Sequence, residues 1–357
     1  MADSITARDV AQHADVSAGT VSRVFNNYSN VSEEIRQRVL KAAADLGYPG
    51  PYRQSTNHQN HSRLLKEVGF LYSSSIEETP ATLDPYWAPI FHGVESESRH
   101  SNIKVIYRTV TDIRHNLQQL TRTLYEMRLG GVLLVGQFEA DAISAIQATG
   151  TPVVLVDNYV EEMTRAVDVV LADNFQGARL AMDHLFEQGH RHIAFIAGPA
   201  TPGARPLYKI YATYQRWASY CMSFLDRGLS IDPILIEPGN LTLEGGYLAC
   251  QRLLARQVNF TAIFCVDDIT AIGAMKALRE AGRCIPEEVS IIGFDDIDTG
   301  RHVTPALSTI RVNAEDLGAT ALRTLIARVT NPSTPCVTIQ LGAELVQRAS
   351  VTPPHLS

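Results

Sequence analysis

From Val68 to Leu341, short apolar runs alternate with stretches of helical periodicity, and that alternation limits the possible folds more than any other feature. Residues 68–72, 103–108, 131–135, 152–157, 168–172, 192–197, 262–266 and 289–294 read as strands, rich in Val, Ile and Phe. Helical patterns over 89–101, 116–128, 174–188, 214–227, 242–256, 268–281 and 313–329 separate them. Strand–helix alternation implies parallel sheets covered on both faces. The run Val132-Leu133-Leu134-Val135, apolar at every position, agrees, because such a strand has no solvent side. About thirteen elements beyond residue 67 are too many for one sheet of ordinary size, so two lobes are expected. Strands 168–172, 309–312 and 339–341 are the expected crossings between them.

The first fifty residues follow a different rule. Thr6 can cap a helix that carries Asp9 three positions on, and Val10, Ala11 and Ala14 form its apolar face. Asp15-Val16 reads as a turn, and Ser17 as the cap of a second helix. That helix turns Val21 and Val24 inward and leaves Ala18, Gly19, Ser22 and Arg23 outward. A third helix starts after Ser32, with Glu33 and Glu34 at its positive end and a stripe of Ile35, Val39, Ala42 and Leu46. Two short helices joined by a tight turn and braced by a third make a helix-turn-helix, whose second helix enters a major groove. Small polar Ser17, Thr20, Ser22 and Asn26 stand on the outer face, where a structural bundle would carry Lys and Glu. Arg23 has the fork that reads guanine, Ala18 and Gly19 leave a bare tip, and the hydroxyls and Asn26 suit phosphates.

This head closely resembles that of the lactose-repressor family of transcription regulators. The segments that carry the likeness are Thr6-Ala-Arg-Asp-Val-Ala11, Val16-Ser-Ala-Gly-Thr-Val-Ser-Arg-Val-Phe-Asn-Asn27 and Val31-Ser-Glu-Glu-Ile-Arg-Gln-Arg-Val39. The likeness continues in Leu171-Ala-Asp-Asn-Phe-Gln-Gly177, Ile291-Ile-Gly-Phe-Asp-Asp296, Thr304-Pro-Ala-Leu-Ser-Thr-Ile310 and Leu345-Val-Gln-Arg-Ala-Ser350. It implies an all-α helix-turn-helix head on an α/β two-lobed body of the periplasmic-binding-protein type I fold. It also implies a repressor of a carbohydrate operon whose DNA affinity responds to a small sugar held between the lobes.

The expected boundaries are a head at 1–49, a linker at 50–66, an N-lobe of 67–172 with 312–340, and a C-lobe of 173–311 with 341–357. In the family the linker forms a hinge helix that wedges a leucine into the minor groove. Here residues 54–60 offer no leucine, and the stretch is longer than usual.

In open α/β sheets, ligands sit beyond the carboxyl ends of strands. That rule picks out adjacent Tyr86 and Trp87, which a sugar ring could stack on, and Asp267 and Asp295, which accept hydrogen bonds from vicinal hydroxyls. Arg216 adds a rigid donor fork. By resemblance, Tyr86, Trp87, Arg216, Asp267 and Asp295 are the effector contacts, while Asp268 caps the following helix and Asp296 is a loop acid. The loop at 199–213, with Arg205, Tyr208 and Lys209, is expected to be solvated, the alternative being a contact to a large or anionic ligand.

Charge narrows the partner. The whole chain carries −7, while residues 1–66 hold eight Lys or Arg against six acids. One head is then a weak polyanion binder, and affinity requires two heads of a homodimer on a palindromic double-stranded operator. Five scattered cysteines form no Cys-x-x-Cys pair, so neither metal nor disulfide is expected, and no cofactor motif appears. No signal peptide, membrane-length apolar run or nucleophile elbow is present, which points to a cytoplasmic protein that is not an enzyme. The competing reading is a sugar-sensing module that has lost DNA control, suggested by the altered linker.

Overall fold

A computed structural model describes residues 5–25, 28, 31–46, 48, 65–74, 84–160, 163, 166–199 and 210–354. The chain divides into two compact units, Met1–Val170 with Glu315–Thr338, and Leu171–Ala314 with Ile339–Ser357.

The first unit begins with the helical head. Helix α1 (Ala7–His13) starts with the capping box read from the sequence: the Thr6 N–H donates to Asp9 Oδ2 at 2.6 Å, and the Asp9 N–H returns to Thr6 Oγ1. Asp15 turns the chain left-handed at φ 51 before α2 (Ala18–Phe25). Helix α3 (Glu33–Leu46) completes the head. Val10, Val21, Val24, Val39 and Ala43 are each at most 1% exposed and form one small core with Phe25 and Tyr48, whose rings meet edge-on at 5.6 Å.

Beyond the head, the unit alternates β1 (Glu67–Ser73), α4 (Trp87–His100), β2 (Lys104–Thr109), α5 (Leu117–Met127), β3 (Gly131–Gly136), α6 (Ala140–Ala148), β4 (Val153–Val156) and β5 (Asp168–Ala172). The second unit runs α7 (Asn174–Glu187), β6 (Ile193–Ala197), α8 (Tyr211–Leu225), β7 (Ile236–Pro238), α9 (Leu243–Ala255), β8 (Ala262–Cys265), α10 (Asp268–Glu280), β9 (Ser290–Ile292), α11 (Thr299–His302) and β10 (Thr309–Val312). The chain closes with α12 (Ala314–Thr330), β11 (Thr338–Leu341) and β12 (Ala343–Val346).

One sheet has the order β11-β5-β4-β3-β1-β2, and the other β7-β6-β8-β9. The pairs β1–β2, β1–β3, β3–β4, β4–β5, β6–β7, β6–β8 and β8–β9 are parallel, while β10 and β12 make a separate antiparallel ribbon. Strands β3, β4, β5, β6 and β8 are buried at every residue, as two-sided covering by helices requires.

Three local features depart from the sequence reading. Helix α4 begins at Trp87, not at Pro89, because proline at the third helical position lacks only an N–H that the first turn leaves unbonded anyway. Strand β4 stops at Val156, where Asp157 takes φ 50. Helix α6 and the three-residue strand β7 were not foreseen; β7 carries the buried Glu237 in its centre, which hides its strand pattern. Among the described residues, no helix is long and apolar enough to cross a membrane, and no cluster of His, Cys, Asp and Glu could hold a metal ion.

Candidate functional site

In the head, α2 presents its candidate residues on the side opposite the core. Ala18, Gly19, Ser22 and Arg23 are exposed, and Thr20 is half-buried. Ser17 spends its hydroxyl on the helix start: the Thr20 N–H donates to Ser17 Oγ at 3.0 Å, and the two hydroxyls lie 2.8 Å apart. Nothing crowds Gly19, since a Cβ there would meet only Ser17 Oγ, at 3.7 Å. Asn26 lies outside the described residues. Two other arginines of the head serve its own backbone. Arg36 donates to the carbonyls of Val24 and Tyr28, and Arg38 to that of Asp15. This leaves Arg8, Arg23 and Lys41 as the basic side chains of the described head that point to solvent without a carbonyl partner of this kind.

In the second unit, β8 and β9 deliver the polar cluster at their carboxyl ends. Arg216, on the first turns of α8, has a side chain only 5% exposed. Its Nε donates to Asn174 Oδ1 at 2.8 Å, Nη1 to the Val266 carbonyl at 2.7 Å, and Nη2 to Asp295 Oδ1 at 3.0 Å. The guanidinium carbon also lies 3.7 Å from the centroid of the Phe294 ring, an arrangement that keeps the fork flat and fixed. A buried guanidinium held on three sides cannot turn to follow a ligand, so whatever binds must match it.

The neighbouring acids reverse one sequence expectation and qualify another. Asp267, not Asp268, caps α10, its Oδ1 accepting the Thr270 N–H at 2.7 Å. The cap has to be the last residue with extended backbone, and Asp267 (φ −147, ψ 171) is that residue. Asp268 is already helical and 1% exposed; it accepts from Thr309 Oγ1 at 2.6 Å and from the Ile297 N–H at 2.9 Å. Burial pushes its carboxyl well above the ordinary value, with the charges of Asp295 and Asp267 adding to the rise, while the bonds from Thr309 and Ile297 oppose it. Asp296 is a loop acid, as the sequence suggests, but its side chain is 2% exposed and faces Arg301, Arg311 and Arg348.

The first unit has its own aromatic cluster beyond the end of β1. Asp84 Oδ1 accepts both the Tyr86 and Trp87 N–H groups, at 2.9 and 3.2 Å, and so fixes the entry to α4. Burial raises the Asp84 carboxyl, and those two backbone bonds partly offset the rise. The Tyr86 and Trp87 rings meet edge-on at 4.8 Å, and Trp87 leans on Tyr72 at 5.8 Å. Tyr86 Oη donates to Asp157 Oδ2 at 2.7 Å.

The structure thus brings Arg216 together with Asp295, and Tyr86 with Trp87. Sequence reasoning missed Asn174, Phe294, Asp84 and Asp157. Asp157 and Phe294 had a usable signal, since each stands at the end of a predicted strand. Asn174 and Asp84 had none beyond their polarity.

Comparison with known proteins adds an independent line. Residues 6–49 match the model for bacterial regulatory proteins, lacI family, and residues 182–351 match that for a periplasmic binding protein-like domain. The chain is 32% identical over 350 residues to the ribose operon repressor of Haemophilus influenzae, covering 97% of this chain and 98% of that one. It is 31% identical over 351 residues to the HTH-type transcriptional repressor CytR of Escherichia coli, covering 97% and 96%. Among solved structures, the complex of the transcriptional regulator CelR with cellobiose aligns with a TM-score of 0.73 at 28% identity, over 97% of this chain and 99% of that one.

Proposed function

The chain belongs to the lacI family of bacterial regulatory proteins and is a DNA-binding transcriptional regulator; from that premise we propose that it represses a carbohydrate operon and responds to a small neutral sugar. The observation that carries the effector half is the fixed fork of Arg216 between Asn174, Val266 and Asp295 at the ends of β8 and β9. Fixed donors beside carboxylate acceptors complement the alternating donors and acceptors of a polyol. The residues proposed for the effector are Tyr86, Trp87, Arg216, Asp267 and Asp295. Two relatives carry the sugar class in their names, one a ribose operon repressor and one a complex with cellobiose.

The head is proposed to read DNA through Arg23, with Ser17, Ala18, Gly19, Thr20, Ser22 and Asn26 as the further contacts. With few free charges per head, two copies on a palindrome are required, so the working unit is a homodimer in the cytoplasm. No catalysis is part of this function, and chromogenic glycosides should not turn over above a blank.

Calorimetric titration with D-ribose and cellobiose is the test of the effector. At least one should bind, and Asp295→Ala should abolish the heat, because it removes the carboxylate to which the buried Arg216 Nη2 donates. Binding that survives Asp295→Ala would overturn the site. For the head, operators selected from random duplexes should differ between wild type and Arg23→Ala, with a loss of about 1–3 kcal/mol at the guanine it contacts.

A further inference from the structure

The corner after β9 is held more firmly than a ligand-binding loop requires. Asp295 and Asp296 are consecutive non-glycine residues with φ 103 and φ 55. Side chains rarely adopt that backbone, and it persists only where the surroundings over-determine it. Part of the restraint is backbone: the Gly293 N–H donates to the Ser308 carbonyl at 2.9 Å and the Asp295 N–H to the Ile310 carbonyl at 2.7 Å. Part comes from Asp268, which accepts the Ile297 N–H on the far side of the corner.

The rest comes from Asp296. Its Oδ1 accepts from Arg348 Nη2, and its Oδ2 accepts from Arg311 Nε at 2.8 Å, with Arg301 Nη2 at 3.4 Å from the same oxygen. Burial acts to raise its pKa, but the guanidiniums of Arg348 and Arg311 outweigh it and leave the carboxyl below the ordinary value. The group is therefore a carboxylate at neutral pH. Arg311 lies on β10 and Arg348 just beyond β12, the two strands of the antiparallel ribbon. Arg348 is itself anchored, with Nη1 on the Leu307 carbonyl at 2.8 Å. Adjacent residues of one strained turn thus point to different partners, Asp295 to Arg216 and Asp296 to the ribbon.

We infer that Asp296, gripped by Arg311 and Arg348, is a positioning residue for the effector site: it holds Asp295 in the left-handed corner that aims it at Arg216, and it ties that corner to the β10–β12 ribbon. This rests on the reading that Asp295 contacts the effector. A purely structural carboxylate would lower the stability of the lobe without loosening this corner in particular. Glu237 provides the comparison, being equally buried and held by Arg252 and Arg256, but on β7.

The test uses the full chain as wild type, Asp296→Asn, Arg311→Gln and Glu237→Gln. Amide hydrogen exchange over 293–297 and calorimetry with D-ribose are read alongside thermal midpoints. Asp296→Asn should speed exchange at Asp295 and Ile297 by about tenfold or more while β8 stays protected, and should weaken ribose binding about tenfold. Arg311→Gln, which removes one half-exposed donor, should move both in the same direction by less and serves if Asp296→Asn fails to fold. Glu237→Gln should lower the midpoint and leave corner and affinity unchanged. Corner exchange in Asp296→Asn or Arg311→Gln that tracks only the lowered midpoint, as in Glu237→Gln, overturns the inference. So does unchanged ribose affinity with a loosened corner. If wild type binds cellobiose and not D-ribose, cellobiose replaces ribose in the titrations; if it binds neither, that counts against the effector class above, and corner exchange alone then decides the positioning role.

Discussion

Asp268 gives the second unit a pH dependence opposite to that of most carboxylates. Its folded pKa lies well above the ordinary value because burial disfavours the charge, so the folded state binds a proton that the unfolded chain has already lost. Stability from this group is fully present below the unfolded value near pH 4 and is lost as pH rises through the folded value. The groups facing it are Thr309, the Ile297 N–H, Asp295 and Asp267, so no cation reverses the trend. Asn is nearly isosteric and cannot ionise; its oxygen can accept from Ile297 and its amide can donate to the Thr309 hydroxyl. Urea titrations from pH 4 to pH 8 should therefore show Asp268→Asn gaining on wild type as pH rises. A constant difference across that range would show that Asp268 does not titrate there. The same residue marks the limit of reading acids from sequence. Asp267 and Asp268 are adjacent and chemically identical, and only the backbone angle at the start of α10 decides which caps and which is buried.

Elements were easier to read than single side chains, for a physical reason. The strands announce themselves as unbroken apolar runs and the long helices by period, and burial in the structure follows both. What the period cannot show is how closely two helices approach. Gly93 on α4 and Gly318 on α12 sit where those helices nearly touch: a Cβ on Gly93 would lie 1.9 Å from the Glu315 carbonyl oxygen, and one on Gly318 2.0 Å from that of Ile90. The obstacle in each case is backbone, which cannot rotate away. Gly93→Ala should cost about 1–3 kcal/mol as an overpacked contact, measured as a lower urea midpoint. Gly19→Ala on α2 is the opposite case. The space around it is open, so the substitution should stabilise the helix by about 0.5–1 kcal/mol, whatever it does to DNA affinity. A sequence pattern scores the two glycines alike, and only packing separates them.

At the scale of the whole molecule, the net charge of −7 works against DNA binding, so the head must supply local attraction. Counting basic residues in the sequence overstates that attraction. Of the five in the described head, Arg36 and Arg38 are spent on the carbonyls of Val24, Tyr28 and Asp15, where they tie α3 to the turn and to the end of α2. That leaves Arg8, Arg23 and Lys41 as free positive charge at the DNA surface, about six charges for two heads, each displacing counterions whether it meets a base edge or a phosphate. Counterion release then predicts a slope near −5 for the logarithm of the association constant against the logarithm of salt concentration. Fluorescence anisotropy on a selected palindrome between about 50 and 300 mM salt measures that slope. Lys41→Ala should flatten it by about two units in the dimer, one for each head, with little change in preferred sequence. A wild-type slope much steeper than −5 would mean that Arg36 and Arg38 leave their carbonyls on DNA, or that basic residues of the 50–66 linker join the contact. Arg36→Gln and Arg38→Gln separate those outcomes, since only the first assigns the extra charge to the head.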